Sequence, residues 1–273
     1  MNILYCGDAN MKRGLLISIL SLVKWVPEPL NITILTARMA SDARQFFPLT
    51  ATTAQALDHL VKQRNPASQV TRVDVSALVR QTPPTANRNT IFTPCCVLRL
   101  YADQVPGLPD RLLYLDTDVI CRRDPSPMYR QELTGSEYAG VLDHYGRWFF
   151  HQHWPRWDYV NSGVLLLNLA EIRRTGLFAR SRQLCQVQEM FMPDQSALHQ
   201  LVTHQRLLPR RYNEQRRLHT DTVFQHFTTS FRFFPWVHTL TVKPWEVTAM
   251  HQRLKLHEYD DILADYQKLI PNL

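Results

Sequence analysis

The stretch Leu112-Leu-Tyr-Leu-Asp116-Thr-Asp118-Val-Ile120 runs an apolar segment straight into two carboxylates two positions apart. Residues Arg111 to Leu115 predict a buried strand, because a near-continuous apolar run leaves no side for solvent. Residues i and i+2 of a strand share a face, so Asp116 and Asp118 are placed to reach one divalent cation. In open α/β sheets ligands collect outside the carboxyl ends of strands, which is where this pair falls. Oxygen ligands suit hard cations such as Mg²⁺ or Mn²⁺. An Asp pair also caps turns, so the motif by itself leaves a structural reading open.

Working outward, Ile3–Cys6, Asn31–Thr36 and Val70–Val75 read as strands, while Leu15, Leu16, Ile19, Leu22 and Val23 recur at helical spacing. Weaker helices are expected near Ala43–Phe47 and Ala54–Gln63. A further helical stretch is expected from Pro94 to Tyr101, after the break at Pro83-Pro84. Downstream, Tyr138–Leu142 and Gly163–Asn168 add strands, the second almost wholly apolar as a central strand should be. This alternation predicts an α/β fold with a mainly parallel sheet covered by helices on both faces. From about Trp236 the pattern loosens, and an amphipathic helix over Tyr259–Leu269 ends the chain. The expected organisation is one α/β domain over 1–245, followed by a small, less regular C-terminal cap over 246–273.

The chain has 273 residues, of which 45% are hydrophobic and 20% charged, enough apolar surface to exclude a disordered or fibrous protein. The five cysteines, Cys6, Cys95, Cys96, Cys121 and Cys185, contain no C-x-x-C spacing. An odd count without a framework argues for reduced thiols and a cytoplasmic setting. No basic region followed by an apolar run opens the sequence, so no secretory signal is expected. The longest apolar segment, Leu15 to Val26, is interrupted by Ser18, Ser21 and Lys24 and is too short to span a bilayer. A net charge of +7 suits an anionic partner. Arg206, Arg210, Arg211, Arg216 and Arg217 cluster in sequence; they form either a solvated face or a surface for anionic lipid or acceptor phosphate. The second option implies a peripheral position on the inner face of the cell membrane. Nucleic acid is not an expected partner, because no helix-turn-helix, finger or RNA-recognition signature is present.

Several further motifs stand in a fixed order: Gly7-Asp8-Ala9-Asn10, Arg99-Leu100, Leu113-Tyr-Leu-Asp-Thr-Asp-Val119, Asp143, Tyr159-Val-Asn161-Ser-Gly-Val-Leu-Leu-Leu-Asn168, Pro193-Asp194-Gln195 and His226-Phe227. Each is weak alone, but the ordered set over about residues 1–245 resembles glycosyltransferase family 8. That group contains bacterial lipopolysaccharide galactosyl- and glucosyltransferases and glycogenin. The resemblance implies a GT-A fold and a metal-dependent retaining enzyme that uses a nucleotide sugar.

Asp116, Asp118 and the distant His226 would then hold Mn²⁺ against the diphosphate of a UDP-sugar. One imidazole among carboxylates favours Mn²⁺ over Mg²⁺, which prefers oxygen. Asp8 and Asn10 match positions that bond the uracil and ribose, although both residue types also cap helices. Arg99 matches an arginine that contacts the donor; the alternative is an exposed helical arginine. Asp143, Asn161, Asp194 and Gln195 match the donor-sugar pocket, with Gln195 beside the anomeric carbon. An amide is a poor nucleophile, which favours a same-face mechanism in which the departing phosphate oxygen takes the acceptor proton.

The chain departs from the family after His226, where Phe-Thr-Thr-Ser-Phe-Arg-Phe-Phe-Pro replaces a glycine-containing link to Lys-Pro-Trp. Lys243-Pro244-Trp245 follows later than expected. Either an insertion separates the two halves and Lys243 meets the diphosphate, or Arg232 has taken that role. The expected activity is hexose transfer from UDP-galactose or UDP-glucose to a glycan acceptor, typically a bacterial lipopolysaccharide or other surface polysaccharide. Alternatives are glycogenin-like self-glycosylation and a non-catalytic nucleotide-sugar-binding protein. Sugar-phosphate nucleotidyltransferases are set aside because their Gly-rich activation loop is absent after the first strand.

Overall fold

Alternate residues of the first strand, β1 (Asn2–Gly7), enter two different apolar cores. Ile3 and Tyr5 join Leu15, Leu16 and Ile19 of the Lys12–Trp25 helix, whereas Leu4 joins Val97, Leu98 and Tyr101 on the other side. A strand used on both faces must be apolar throughout, which is why the sequence shows a run and not an alternation. These contacts are seen in a computed structural model, which describes residues 1–90, 93–144, 158–232 and 238–273, with side chains at 230–232 and 238–239 excluded. Each fully buried leucine contributes about 1.5–3 kcal/mol. The exposed Lys62–Asp58 pair, at about 0.3–0.5 kcal/mol, is minor beside either core.

The remaining strands in chain order are β2 (Asn31–Thr36), β3 (Met39–Ala40), β4 (Gln45–Phe46), β5 (Gln69–Asp74), β6 (Arg111–Leu115), β7 (Val119–Cys121), β8 (Tyr138–Leu142), β9 (Val160–Asn168), β10 (Gln205–Leu207), β11 (Phe224–His226), β12 (Ser230–Arg232) and β13 (His238–Leu240). Seven of them form one sheet in the order β10-β8-β9-β6-β1-β2-β5. The pairs β10/β8, β6/β1, β1/β2 and β2/β5 are parallel, so the expected mainly parallel α/β sheet is present. β9 instead runs antiparallel to both β6 and β8. An apolar run carries no sign of direction, so periodicity could not reveal this. The reversal brings the start of β9, residues 160–163, to the same sheet end as the ends of β1 and β6.

Two local readings need correction. No helix forms over Ala43–Phe47; Met39–Ala40 and Gln45–Phe46 pair as a small ribbon closed by Ser41 and Arg44. Five residues before a proline are too few to offset helix nucleation. The stretch from Pro94 winds as a 3-10 helix to Gln104, begun by the Thr93 hydroxyl accepting from the Cys95 amide at 3.2 Å. In the C-terminal segment, Met250, Tyr259, Ile262, Leu263 and Tyr266 lie in the same core as the Lys12–Trp25 helix. All five cysteines are free thiols, and burial pushes Cys95 and Cys185 up to about 12. No helix among the described residues is long and apolar enough to cross a membrane.

Glu137, at the foot of β8, is 1% exposed and fastens three segments. Its carboxylate accepts from Thr175 Oγ1 at 2.5 Å and from the Thr203 amide at 2.6 Å. Its backbone carbonyl accepts from Asn168 at the end of β9. Replacing Glu137 with Ala removes the carboxylate acceptor of the Thr175 hydroxyl and the Thr203 amide, while the backbone bond from Asn168 stays, and should cost about 1–3 kcal/mol in urea unfolding. Glu137→Gln, which keeps one acceptor oxygen, should lose less.

Candidate active site at the carboxyl end of the sheet

Asp116 and Asp118 lie just beyond β6, in the tight turn that leads into β7. They converge because this turn is closed by Val119 donating to the Asp116 carbonyl at 3.2 Å, not because they share a strand face. The Asp116 amide donates to the Gly163 carbonyl at 2.8 Å, which anchors the turn to the start of β9. His226 arrives through a separate antiparallel pair, β11 with β7, in which it stands opposite Val119. Its Nε2 is 3.2 Å from Asp118 Oδ1 and 3.7 Å from Asp116 Oδ2. One ligating atom from each of the three residues lies within 4.8 Å of the others.

The orientation of the His226 ring follows from a chain of donors. Asn161 Nδ2 donates to Asp143 Oδ2 at 2.8 Å, and a carboxylate can only accept, so Asn161 Oδ1 is the atom 3.1 Å from His226 Nδ1. Nδ1 therefore carries the proton, and the Nε2 lone pair faces the two carboxylates. Three lone-pair atoms pointed at one another call for a cation or a proton between them. Gly163 keeps the space open: a Cβ there would overlap His226 Cε1 and lie 2.9 Å from Asp116 Oδ2. Two carboxylates and one imidazole fit a divalent metal of the Mn²⁺ type. Burial alone pushes the Asp118 carboxyl up, but Lys243 and His226 outweigh it and hold that group well below the usual carboxylate range.

Arg99 is 2% exposed, which excludes an exposed helical arginine. Its guanidinium donates to Asp116 Oδ1 at 3.0 Å and to the Ser162 carbonyl, pairs with Asp194 Oδ2 at 3.2 Å, and stacks 3.9 Å from the Tyr114 ring centre. The expected fork held out to a ligand is thus turned onto protein acceptors, where it positions two acids. Asp194 and Gln195 enter the site on the first turn of the Pro193–Leu201 helix. Gln195 Oε1 accepts from the Ser162 amide at 3.0 Å, and its Nε2 donates to Asp143 Oδ2 at 3.2 Å. Asp143, Asn161, Asp194 and Gln195 are each buried and belong to one connected network.

Asp8 follows β1, next to β6 in the sheet, and is buried, while Asn10 is exposed. Neither side chain caps a helix; Asn10 Nδ2 donates to Asp8 Oδ2 at 2.6 Å. Lys243 Nζ reaches Asp118 Oδ2 at 2.5 Å and the Phe227 carbonyl at 2.9 Å. Between His226 and Lys243 the chain makes the β12/β13 ribbon. The side chain of Arg232 lies outside the described residues.

Sequence reading missed Tyr114, Ser162, Gly163 and Asn213. Tyr114 and Ser162-Gly163 stood inside quoted motifs, but their roles as partners are visible only in space. Burial raises the Tyr114 phenol well above its ordinary value, so it keeps its proton and donates to Asp116 Oδ1. Asn213 Nδ2 donates to Asn161 Oδ1 at 2.8 Å and had no signal in the sequence. The arginine cluster is divided by the fold: Arg206 donates to the Glu132 carbonyl, Arg211 stacks on Tyr212, and Arg210 is paired with Glu214 and Asp221.

Gly163→Ala should displace the His226 ring. Mn²⁺ affinity, read from the free-ion electron paramagnetic resonance signal, should fall by more than about tenfold while the cooperative thermal transition is retained.

Comparison with known proteins agrees with this architecture. The lipopolysaccharide 1,2-glucosyltransferase of Escherichia coli K12 is 28% identical over 184 residues, covering 62% of this chain and 54% of that protein. The chain spans about half the length of the curated relatives it matches. Among solved structures, galactosyltransferase LgtC in complex with donor and acceptor sugar analogues superposes with a TM-score of 0.71 at 18% identity, over 100% of both chains. The glycosyltransferase GlyE of Streptococcus pneumoniae gives 0.61 at 17% identity, over 98% of this chain and 64% of that one. The model of glycosyl transferase family 8 matches residues 2–249, nearly the whole chain, and the protein belongs to that family.

Proposed function

We propose that the protein is a retaining hexosyltransferase that moves galactose or glucose from a UDP-sugar to a glycan acceptor of bacterial lipopolysaccharide or another surface polysaccharide. The observation that carries this reading is the convergence of Asp116, Asp118 and His226 beside a buried polar pocket at the carboxyl end of the sheet. The three side chains would hold Mn²⁺, with Mg²⁺ as the weaker fit. When bound, the metal supplies charge to stabilise the departing diphosphate. The relatives' names and the family resemblance support the donor and acceptor classes. A cytoplasmic enzyme acting at the inner membrane face suits such an acceptor.

Within this reading, Asp8 and Asn10 bind the uridine at the end of β1. Asp143, Asn161 and Asp194 take the hexose hydroxyls, because short polar side chains with fixed partners discriminate hydroxyl positions well. Arg99 acts as a positioning residue that holds Asp116 and Asp194 in register. Lys243 stands at Asp118, within reach of a diphosphate placed there, and serves as its cationic partner. Gln195 is fixed at both ends of its amide, so it presents a preset dipole to the oxocarbenium-like centre and does not attack it. The anomeric carbon loses its bond to the phosphate oxygen and gains one to the acceptor oxygen on the same face. The acceptor hydroxyl proton passes to the departing phosphate oxygen.

Asp116→Asn and Asp118→Asn should each lower Mn²⁺-dependent UDP release from UDP-galactose or UDP-glucose by more than about 100-fold, equivalent to several kcal/mol of transition-state stabilisation. Undiminished turnover in both would defeat the metal assignment. Gln195→Ala should lower kcat with little change in donor KM; near-normal turnover would remove Gln195 from the chemistry. Mass spectrometry after incubation with UDP-glucose should show no hexose added to the protein itself.

A further inference from the structure

A cleft of about 940 Å³ is lined in part by His144, Gln215, Arg216, Arg217 and Arg253. None of Asp8, Asn10, Arg99, Asp116 or Lys243 lines it, so it is separate from the nucleotide end of the site. Two of its lining residues tie the cleft to the polar network around Asp143 and Asn161. Gln215 accepts from the His144 amide at 2.9 Å and donates to the Leu142 carbonyl at 3.0 Å, so it flanks Asp143 on both sides. Asn213, also a lining residue, holds Asn161.

The charge of this cleft is unbalanced. Its one lining carboxylate among the described residues, Glu214, is buried and engaged by Arg210 and His219. Arg216 Nη1 lies 3.1 Å from His144 Nε2, an imidazole and not a carboxylate. Arg217 and Arg253 are exposed and have no carboxylate partner among the described residues. Arg253 comes from the C-terminal segment, 36 positions after Arg217, so the fold gathers this set and sequence proximity does not. A solvated arginine face would be convex, whereas three uncompensated guanidinium groups in a concave site focus a positive field on whatever enters it. The volume lies at the upper end of the range for ligand pockets, enough for more than one sugar residue.

We propose that this cleft is the acceptor subsite and that Arg216, Arg217 and Arg253 select a glycan bearing an anionic group, a phosphate or a carboxylate, next to the sugar to be extended. This inference rests on the transferase reading and deepens it by naming the acceptor's chemistry. Guanidinium forks bind both oxyanions through paired, charge-assisted hydrogen bonds.

The test is calorimetric binding of lipopolysaccharide core oligosaccharide at fixed ionic strength. The probe is used untreated, after dephosphorylation with hydrogen fluoride, and after reduction of its carboxylates. The wild-type protein should bind the untreated probe about tenfold or more tighter than one of the two treated forms, and that form identifies the anion recognised. The triple variant Arg216→Ala/Arg217→Ala/Arg253→Ala should lose the preference, and the triple Arg→Lys variant should recover part of it if the alanine protein is misfolded. Equal affinity of the wild-type protein for all three probes overturns the proposal, as does a preference that survives in the alanine variant. Loss of binding to phosphatidylglycerol vesicles with the glycan preference unchanged also overturns it, assigning the arginines to a membrane surface. Mn²⁺-dependent UDP binding, measured on the same wild-type sample, separates the two failures. If UDP binds and the probes are not distinguished, only the acceptor subsite falls. If UDP does not bind, the transferase reading falls with it.

Discussion

One buried guanidinium, that of Arg99, holds the site together. It sits between Asp116 and Asp194, lies flat on Tyr114 and caps the Ser162 carbonyl, so it joins the 3-10 segment, β6, β9 and the Pro193–Leu201 helix. Carboxylates this close would repel one another without it. Asp116 and Asp194 share the Arg99 guanidinium, while Asp118 meets Lys243 and His226.

The network also shows how a buried polar site is kept in one arrangement. Asp143 accepts from Asn161 and Gln195, Asn161 accepts from Gly163, Asn213 and His226, and Gln195 accepts from Ser162. Each link restricts the flip or tautomer of the next, so one carboxylate fixes the imidazole two steps away. Such chains are worth more than their separate bonds, and a broken link exposes buried polar atoms to an apolar surround. The arrangement is thus preorganised before any ligand arrives.

Much of this was legible in the chain. The apolar run ahead of Asp116-Thr-Asp118 located β6 and its carboxyl end, and the alternation of runs and helical stretches located the sheet. The motif order pointed to His226 although it stands over a hundred positions away. Other elements were not legible for definable reasons. β7, β10 and β11 have three residues each, too few for any period to register. Asn213 and Gly163 act through contacts with residues far along the chain.

Amino-acid order alone settled which residues are apolar enough to be buried, where acids follow a strand, and that Lys243-Pro244-Trp245 stands well after the histidine. These are local matters, set by side-chain chemistry and short-range periodicity. Only the tertiary structure decided the direction of β9, the inward turn of Arg99, the tautomer of His226 and the meeting of Arg253 with Arg216 and Arg217. Each of those depends on which distant segments share a boundary, and pairing across a sheet or a core is not written in the spacing of any one segment.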